Sequence, residues 1–435
     1  MASVVFPSKE LLETSGYAAI CHVPFIISSE THYLREPSRY LRERALLEWP
    51  PLEMDIGDRV AYPTVTTLRN SAEKLKNFLE WCEDGGFDWR YVEYTNHLIL
   101  GYQRAMAQGT WSRDKTPLSP RTINQRVSEA TLYLKWAADR GLRPAFYVAE
   151  GTSSRKVSTG NHTRSGQTIH VSSRIGRAPE RPTSLAIPTP QAVGRWLGAV
   201  YTQRGYVKGL CAELIIATAI RLRECIEWRA DTLPSNPAEW LVIGDKVQVD
   251  IQYGTKGRKA APDSIIGPRR RISIPLALAQ KLHAYRMGLR LVQHQRWILA
   301  GTTKAEQRTR MQSAAPQRLF LGERSNRPFT PRMLRHAWSG VPLPVAGWCP
   351  HLGRHYWACT TLLDQLQRRV ASLGKTLSDV PGDWITGMGQ SELSILIRPQ
   401  LGHLDEATSL LYLQWLRNAA NCLFGPLDYL EFLET

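Results

Sequence analysis

Residues 151–185 contain few large apolar side chains, and Gly, Ser, Thr, Arg and Pro dominate the stretch. A segment of this composition cannot bury enough apolar surface to fold by itself. It therefore predicts a basic, flexible interdomain linker, placed at 149–187, with a separate folded core on either side. A chain of 435 residues is long enough for two or three such domains.

The stretch before the linker has the apolar spacing of α-helices. Between Thr64 and Gly85-Gly86, the apolar residues at helical spacing are Leu68, Ala72, Leu75, Phe78, Leu79 and Cys82. A second helix is predicted over Thr95–Gln108 and a third after Ser119-Pro120. Residues 62–148 are therefore predicted to form a small helical domain. Residues 1–61 show one short helical pattern and form an N-terminal extension of unknown role.

A different pattern begins after the linker, and residues 188–435 are predicted as one domain. Three stretches have helical spacing: Val193–Gln203, Lys208–Trp228 and Leu276–Leu299. Three shorter stretches have the character of strands: Trp240–Ile243, Val247–Tyr253 and Arg271–Ile274. The fold class predicted for the chain is mainly α with a small antiparallel β-sheet.

The charge of the chain points to a polyanionic partner. Its formal net charge is +16, and nucleic acid is the first expectation for such an excess. A basic but otherwise ordinary soluble protein is the alternative. The cysteines are scattered without a CxxC pair, which argues against a disulfide framework or a zinc site. No signal-peptide pattern or long apolar run is present, so we expect a cytoplasmic, nucleoid-associated protein without membrane insertion.

An arginine interrupts an apolar stretch in the first motif, Thr218–Glu224. A charged side chain such as that of Arg221 is unfavourable on an apolar helix unless it binds an anion. Glu224 follows three residues later, on the same side of a helix, where it could orient the guanidinium. An ion pair on the surface of an amphipathic helix is the alternative.

Histidine and arginine combine in the second motif, His351–His355. His351 and Arg354 are three residues apart, so a helix would project both to one face. Together they offer a phosphate one imidazole and a fork of guanidinium donors. A metal site is the alternative, but no carboxylate or cysteine stands at a spacing that would complete it.

The third motif is Leu401-Gly402-His403, followed nine positions after the histidine by Tyr412. On a helix that begins near this glycine, the imidazole and the phenol could lie around one phosphate. A tyrosine on an apolar helix is otherwise a core residue. Lys256, at the tip of the predicted hairpin, is a fourth candidate, with ordinary solvation as its alternative.

In their order and spacing, these motifs resemble those of the tyrosine recombinase (phage integrase) family. That family carries T-G-L-R-x-x-E, a hairpin lysine, H-x-x-R-H, and L-G-H with a tyrosine nine residues later, and the resemblance covers about residues 62–420. It implies that 62–148 is a helical, SAM-like core-binding domain. It also implies a mixed α+β catalytic domain at 188–435, with the two domains closing around duplex DNA as a clamp.

The chain departs from the family pattern at several points. Ala219 stands where the family has glycine. The separation of Arg354 from His403 is longer than in the family, which predicts an insertion around Gln367–Gln390. Lys259 rivals Lys256 as the hairpin lysine.

A second H-x-x-R-H-like stretch lies at Leu334–Trp338. Arg332 stands where its histidine would be needed, three residues before Arg335. Arg354 is therefore the preferred arginine of the second motif.

The resemblance implies that the chain breaks and rejoins DNA without a metal or nucleotide cofactor. Tyr412 would attack the scissile phosphate, forming a 3′-phosphotyrosyl bond and freeing a 5′-hydroxyl. The ester keeps the bond energy for rejoining. The other implied roles are charge stabilisation by Arg221, Arg354 and His403, orientation of Arg221 by Glu224, proton removal assisted by His351, and protonation of the leaving 5′-oxygen by Lys256.

Further basic residues are candidate DNA contacts: Arg113, Lys115, Arg121 and Arg126 in the helical domain, and Arg258 and Lys259 beside the hairpin. Ordinary solvation is the alternative for each. The resemblance implies a homotetramer on duplex DNA with specific recombination sites, and accessory proteins of a mobile element are possible partners.

Three functions remain open at this point. The length and insertions favour a mobile-element integrase or transposase. A type IB topoisomerase-like enzyme would share the chemistry and relax supercoils without exchanging partners. A catalytically idle DNA-binding accessory protein would keep the fold and not the reaction.

Overall fold

The computed structural model describes residues 1–50, 62–157, 167–180, 185–257, 264–312, 317–402 and 411–419. They fall into two compact units, one within Met1–Pro182 and one within Thr183–Thr435. The fold class predicted from the sequence is confirmed, since helices dominate and the strands form small antiparallel sheets.

The helices and strands of the first unit are α1 Lys9–Thr14, α2 Arg35–Ala45, α3 Val65–Asp84, α4 Arg104–Gln108, α5 Pro120–Asp139, β1 Ser3–Val5, β2 Phe25–Ile27, β3 Glu150–Val157 and β4 Gln167–Arg174. The hydroxyl of Thr64 caps α3 by accepting from the main-chain N–H of Thr67, and Ser119 caps α5 in the same way. Just before α4, Tyr94–Gln103 forms a π-helix. The predicted helix over Thr95–Gln108 is therefore present in two segments.

The N-terminal extension belongs to the core of the first unit. Ile26, Tyr40 and Leu41 are fully buried in the same cluster as Phe78 and Trp136 of α3 and α5. Polar contacts reinforce this packing, because the carboxylate of Glu43 on α2 accepts hydrogen bonds from Trp136 of α5 and from Arg140, which follows α5. Residues within 1–50 and the helices of the first unit therefore share one buried core.

The predicted linker contains secondary structure. Strands β3 and β4 pair antiparallel, with Glu150 opposite Arg174. Beyond β4, the side-chain nitrogen of Asn124 donates to the carbonyl of Ala178 and to the carboxylate of Glu180, which ties the chain to α5. Composition does not reveal this hairpin because a β-ladder forms through main-chain hydrogen bonds, which do not depend on a large apolar surface.

The helices and strands of the second unit are α6 Pro190–Arg204, α7 Tyr206–Thr218, α8 Leu222–Ile226, α9 Leu276–Met287, α10 Leu289–Leu299, α11 Lys304–Gln312, α12 Pro331–Ser339, α13 Pro350–Ser372, α14 Gly382–Glu392, α15 Arg398–Leu401, β5 Leu241–Ile243, β6 Lys246–Tyr253 and β7 Ile266–Pro275. Residues 411–419 are also helical. Strands β5, β6 and β7 form one antiparallel sheet in sequence order. The described residues of this unit form two buried clusters, and the smaller one packs α13 against α14 and the helix that carries Tyr412.

One predicted helix is broken in the structure. The stretch Lys208–Trp228 divides at Ala219, which adopts the left-handed conformation with φ 56° and ends α7. Apolar spacing continues across this break, so periodicity alone did not reveal it. The helices predicted within Leu276–Leu299 are α9 and α10, which meet at Gly288.

The predicted insertion around Gln367–Gln390 is largely helical. Helix α13 continues through Gln367 to Ser372, and α14 contains the second half of the insertion. Of the helices in the described ranges, none has the length and apolar character needed to cross a bilayer.

Candidate active site

Arg221 lies at the junction of two helices and not in the interior of one. Left-handed Ala219 ends α7, and Arg221 occupies the extended N-cap position of α8. Its guanidinium Nη1 donates to Oε1 of Glu224 at 2.9 Å, and its Nη2 donates to the carbonyl of Gly402 at 3.3 Å. The break that the sequence did not reveal therefore aims Arg221 at the third motif.

Glu224 is a buried carboxylate shared by two arginines. Besides Arg221, it accepts a hydrogen bond on Oε2 from Nη2 of Arg270 at 2.6 Å. Arg270 lies on β7 and also donates to the carbonyl of Gln400. Burial lowers the pKa of Arg270, and nearby Glu224 opposes this effect. One carboxylate thus orients two guanidinium groups.

Arg354 joins the first motif to the third. It lies on α13, is 1% exposed, and donates through Nη1 to the carbonyl of Ala219 and through Nη2 to that of Leu401. Each of these carbonyls lies at the C-terminal end of a helix, where main-chain acceptors lack partners within the helix. Burial lowers the pKa of Arg354 to about 9, with neighbouring Arg221 acting in the same direction, so the guanidinium stays charged at neutral pH.

The docking of α15 is reinforced by Gln400. Its side-chain nitrogen donates to the carbonyls of Thr218 at 2.8 Å and Ser273 at 3.0 Å. Its side-chain oxygen accepts from the main-chain N–H of Ser273 at 2.9 Å. The end of α7, strand β7 and α15 are therefore held together beside Glu224.

Tyr412 contacts a histidine that is absent from the predicted site. Its phenol oxygen lies 2.9 Å from Nδ1 of His355, and Nε2 of His355 lies 3.2 Å from Nε2 of His351. His351, the residue expected to assist proton removal, is thus one imidazole further from the phenol. The three side chains form a series of contacts that runs from the buried Tyr412 through His355 to the exposed His351.

The surroundings of His355 and Tyr412 favour the neutral form of both side chains. Burial lowers the pKa of His355 to about 4, and the neighbouring His351 and Arg354 add to the shift. Burial also raises the pKa of Tyr412, while Arg354 and Arg221 act against it and Cys359 adds to it. At neutral pH the imidazole of His355 is therefore neutral, and its unprotonated ring nitrogen can accept a proton.

Lys256 is exposed in the connection between β6 and β7. Two residues earlier, Gly254 has φ 73°, and a Cβ built on it would lie 2.6 Å from the carbonyl oxygen of Arg223. Only glycine permits this close approach. The base of the hairpin is therefore packed against the start of α8, next to Arg221 and Glu224.

The candidate DNA contacts of the first unit differ in their surroundings. Arg113, Lys115 and Arg121 are exposed. Arg126 is half-buried and donates to the side-chain oxygen of Asn77 at 2.9 Å. Arg113 and Arg126 also line a cleft whose acidic members are Glu73, Glu80, Glu83 and Asp84. Those carboxylates disfavour a phosphate there, so Lys115 and Arg121 are the better candidates.

Three predicted site residues, His403, Arg258 and Lys259, lie outside the described residues. The rival arginine Arg335 is exposed on α12, in contrast to buried Arg354. Within the described ranges, no group of three His, Cys, Asp or Glu side chains is arranged to hold a metal ion.

Sequence reasoning missed two members of the cluster, and a signal existed for each. His355 is four residues after His351, which places both on one face of α13. Arg270 alternates with Ile272 and Ile274, so it lies on the buried face of β7 and not on the exposed face that Arg269 and Arg271 occupy.

No protein-family model matches the chain, and no curated protein sequence matches it. Its backbone is similar to that of the XerH site-specific recombinase bound to difH substrate, with 13% identity, TM-score 0.43, and coverage of 82% of this chain and 79% of that one. It is similar to a lambda integrase dimer bound to a COC′ core site, with 11% identity, TM-score 0.42, and coverage of 87% and 95%. It is also similar to the Tn1549 transposon integrase in complex with circular intermediate DNA, with 12% identity, TM-score 0.42, and coverage of 88% and 98%. These values describe a distant similarity of backbone.

Proposed function

We propose that the protein is a site-specific tyrosine recombinase of the mobile-element integrase or transposase type. It would cut and rejoin duplex DNA through a 3′-phosphotyrosyl intermediate. The observation that carries the proposal is the meeting of motifs that are far apart in the sequence. Arg354 bonds the carbonyls of Ala219 and Leu401, and Arg221 bonds that of Gly402.

The charge of this cluster suits a phosphodiester. Arg221, Arg270 and Arg354 influence one another electrostatically, and Glu224 is the carboxylate that acts on them. Among the described residues of the cluster, three guanidinium groups and one carboxylate give a net positive charge, and these side chains are mostly buried. Fixed donors in such a site can stabilise the charge that builds on the non-bridging oxygens as phosphorus is attacked.

Tyr412 supplies the nucleophile in this proposal. Its phenol is held beside an imidazole, and a nucleophile within hydrogen-bond reach of a base is the arrangement that covalent catalysis requires. Attack on phosphorus would store the bond energy in the enzyme-DNA ester, so rejoining needs no nucleotide. His403 would add a donor to the phosphate, and Lys256 would protonate the leaving 5′-oxygen.

DNA binding must open this cluster for the reaction to occur. Tyr412 and Arg354 are each 1% exposed, so neither can reach a phosphate in the arrangement described. Each terminal nitrogen of Arg354 carries two N–H groups and gives one to a carbonyl, so a second one remains for a phosphate oxygen. The proposal therefore includes a resting state in which the nucleophile is hidden.

Because the DNA target sequence is unknown, the proposed function is tested with a pool of nicked duplexes that contain a randomised segment. Loss of the short fragment beyond the nick prevents rejoining and traps the covalent complex. DNA that remains attached to protein after denaturation is recovered and sequenced. The comparison uses wild type, Tyr412→Phe and a matched control, Tyr356→Phe, since Tyr356 is a half-buried tyrosine on α13.

A site-specific recombinase predicts covalent DNA from wild type and Tyr356→Phe, none from Tyr412→Phe, and enrichment of one sequence. Covalent DNA of unselected sequence, together with relaxation of arbitrary plasmids, would indicate the topoisomerase-like enzyme instead. Binding without covalent DNA from any protein would indicate the idle accessory protein. A homotetramer on DNA is part of the proposal, and sizing the complex formed on the enriched sequence tests it.

A further inference from the structure

We propose that His355 is a catalytic residue that takes the proton from Tyr412, and that His351 positions it. This assignment rests on the proposed function, because it concerns the attacking step of that reaction. It moves the role of proton acceptor from His351 to a residue that directly contacts the reacting oxygen. The phenol oxygen of Tyr412 is 2.9 Å from Nδ1 of His355.

The hydrogen bonds define one consistent set of protons. A neutral imidazole carries one N–H and one acceptor nitrogen. If Tyr412 donates to Nδ1, the proton of His355 is on Nε2 and points at Nε2 of His351, 3.2 Å away. His351 then accepts that bond. A nucleophile, a base and a group that orients the base therefore follow one another, which is the arrangement of activated nucleophiles in general.

Helix geometry explains why these two histidines can act in series. They are four residues apart on α13, so their rings lie one turn apart on the same face, with centroids 4.5 Å from each other. Arg354 immediately precedes His355, and its bonds to Ala219 and Leu401 fix this part of α13. The ring of His355 is therefore held by the same contacts that assemble the arginine site.

Burial supports the role of acceptor. His355 is 8% exposed and is surrounded by Arg354, His351 and Tyr412, and both Arg354 and His351 favour its neutral form. A phosphate that enters the arginine cluster brings negative charge, which favours the protonated imidazole. The base is thus kept free of the proton at rest and becomes more basic when substrate arrives.

The proton and the bonds balance through the cycle. As the phenol oxygen bonds to phosphorus, its proton passes to Nδ1 of His355, and the bond from phosphorus to the 5′-oxygen breaks. The leaving oxygen takes a proton from a separate acid, the role proposed for Lys256. On rejoining, the 5′-hydroxyl returns its proton to the deprotonated acid, Lys256, as its oxygen attacks phosphorus, the bond from phosphorus to Tyr412 breaks, and the departing phenol oxygen recovers the proton from His355.

The test places a fluorinated tyrosine at position 412, because fluorine on the ring lowers the pKa of the phenol and reduces the need for a base. Rates of covalent complex formation are measured for wild type, His355→Gln and His355→Ala, each with tyrosine or fluorotyrosine at 412. His336→Ala is the matched control, since His336 is exposed on α12. Thermal unfolding and DNA binding of each protein are measured in parallel, and His355→Gln serves if the alanine variant does not fold.

With tyrosine at 412, both His355 variants should form the complex about a hundredfold to ten-thousandfold more slowly than wild type. Fluorotyrosine should recover most of that loss, which a purely structural role of His355 would not allow. For His351, the glutamine variant keeps an acceptor for the N–H of His355 and should retain more activity than His351→Ala.

Two results would overturn the assignment alone: wild-type rates in His355→Gln and His355→Ala, or a deficit that fluorotyrosine leaves unchanged. Absence of a covalent complex from wild type itself would overturn the proposed function and this assignment together. The two failures are therefore distinguishable.

Discussion

Arg221 and Glu224 are joined by two hydrogen bonds. The main-chain N–H of Arg221 donates to Oε2 of Glu224 at 2.6 Å, and Nη1 of the same arginine donates to Oε1 at 2.9 Å. Glu224 is 1% exposed, so water does not compete for these bonds. The start of α8 therefore fixes the direction of the Arg221 guanidinium before any anion arrives, which removes the cost of arranging it during a reaction.

Arg221→Lys should slow covalent complex formation by about a hundredfold to a thousandfold, or about 3–4 kcal/mol. A lysine keeps the charge and loses the fork of donors that Glu224 orients. DNA affinity should change little, since one positive charge is retained. Arg223→Lys is the control, because Arg223 is an exposed neighbour paired with Glu227. Equal rates for the two variants would contradict the role given to Arg221.

Arg354→Ala should destabilise the folded protein. The substitution leaves the buried carbonyls of Ala219 and Leu401 without their donor, at a cost of about 1–3 kcal/mol for each unpaired group. Relief from burying a charge offsets part of this loss. Urea unfolding measures the difference, with Arg335→Ala on exposed α12 as control. A midpoint equal to that of the control would show that the two bonds contribute nothing to stability.

Acid should destabilise the protein through His355. Its pKa is about 4 when folded, against about 6.5 for an unfolded histidine, so the unfolded state binds more protons between these values. The contribution of His355 to the free energy of unfolding is therefore fully present above about pH 6.5 and declines as the pH falls toward 4. It amounts to about 1.4 kcal/mol for each unit by which the folded and unfolded pKa values differ. His355→Gln should flatten this part of the profile, whereas exposed His336→Gln should not. Parallel profiles of wild type and His355→Gln would contradict the burial described for this imidazole.

Glu43→Gln should loosen the N-terminal residues from the helices of the first unit. Glu43 is 2% exposed and accepts from Trp136 at 2.8 Å and from Arg140 and Arg39 at 2.9 and 2.7 Å. Loss of the charge that these donors share should cost about 1–3 kcal/mol in the free energy of unfolding. Glu30→Gln is the control, since that side chain is 77% exposed. An equal free energy of unfolding for both variants would contradict the anchoring role of Glu43.

Long amphipathic helices were the most predictable part of the fold. The apolar spacing around Leu68–Cys82 and the serine before Pro120 identify α3 and α5, because both signals are local. The packing of residues 1–50 onto those helices is not local, since it depends on contacts such as Tyr40 with Glu129, 89 positions apart. No pattern within the N-terminal segment records its partner.

In the candidate site, the motifs identify Arg221, Glu224, Arg354 and Tyr412, and the structure brings these together. The break at Ala219 was not predictable, because alanine favours helix and gives no sign of a left-handed residue. Whether His351 or His355 contacts the hydroxyl of Tyr412 depends on which of these two residues, both on one face of α13, is more deeply buried. Burial at that level of detail is set by tertiary packing and not by spacing.

Identification of the residue that becomes bound to DNA is the most direct test of Tyr412 as the nucleophile. The covalent complex from the enriched duplex is digested with nuclease and protease, and the modified peptide is sequenced by mass spectrometry. We expect a nucleotide phosphate on the phenol oxygen of Tyr412, with the complex absent from Tyr412→Phe and present in Tyr356→Phe. DNA attached to another residue, or a complex that persists in Tyr412→Phe, would contradict the assignment of Tyr412 as the nucleophile.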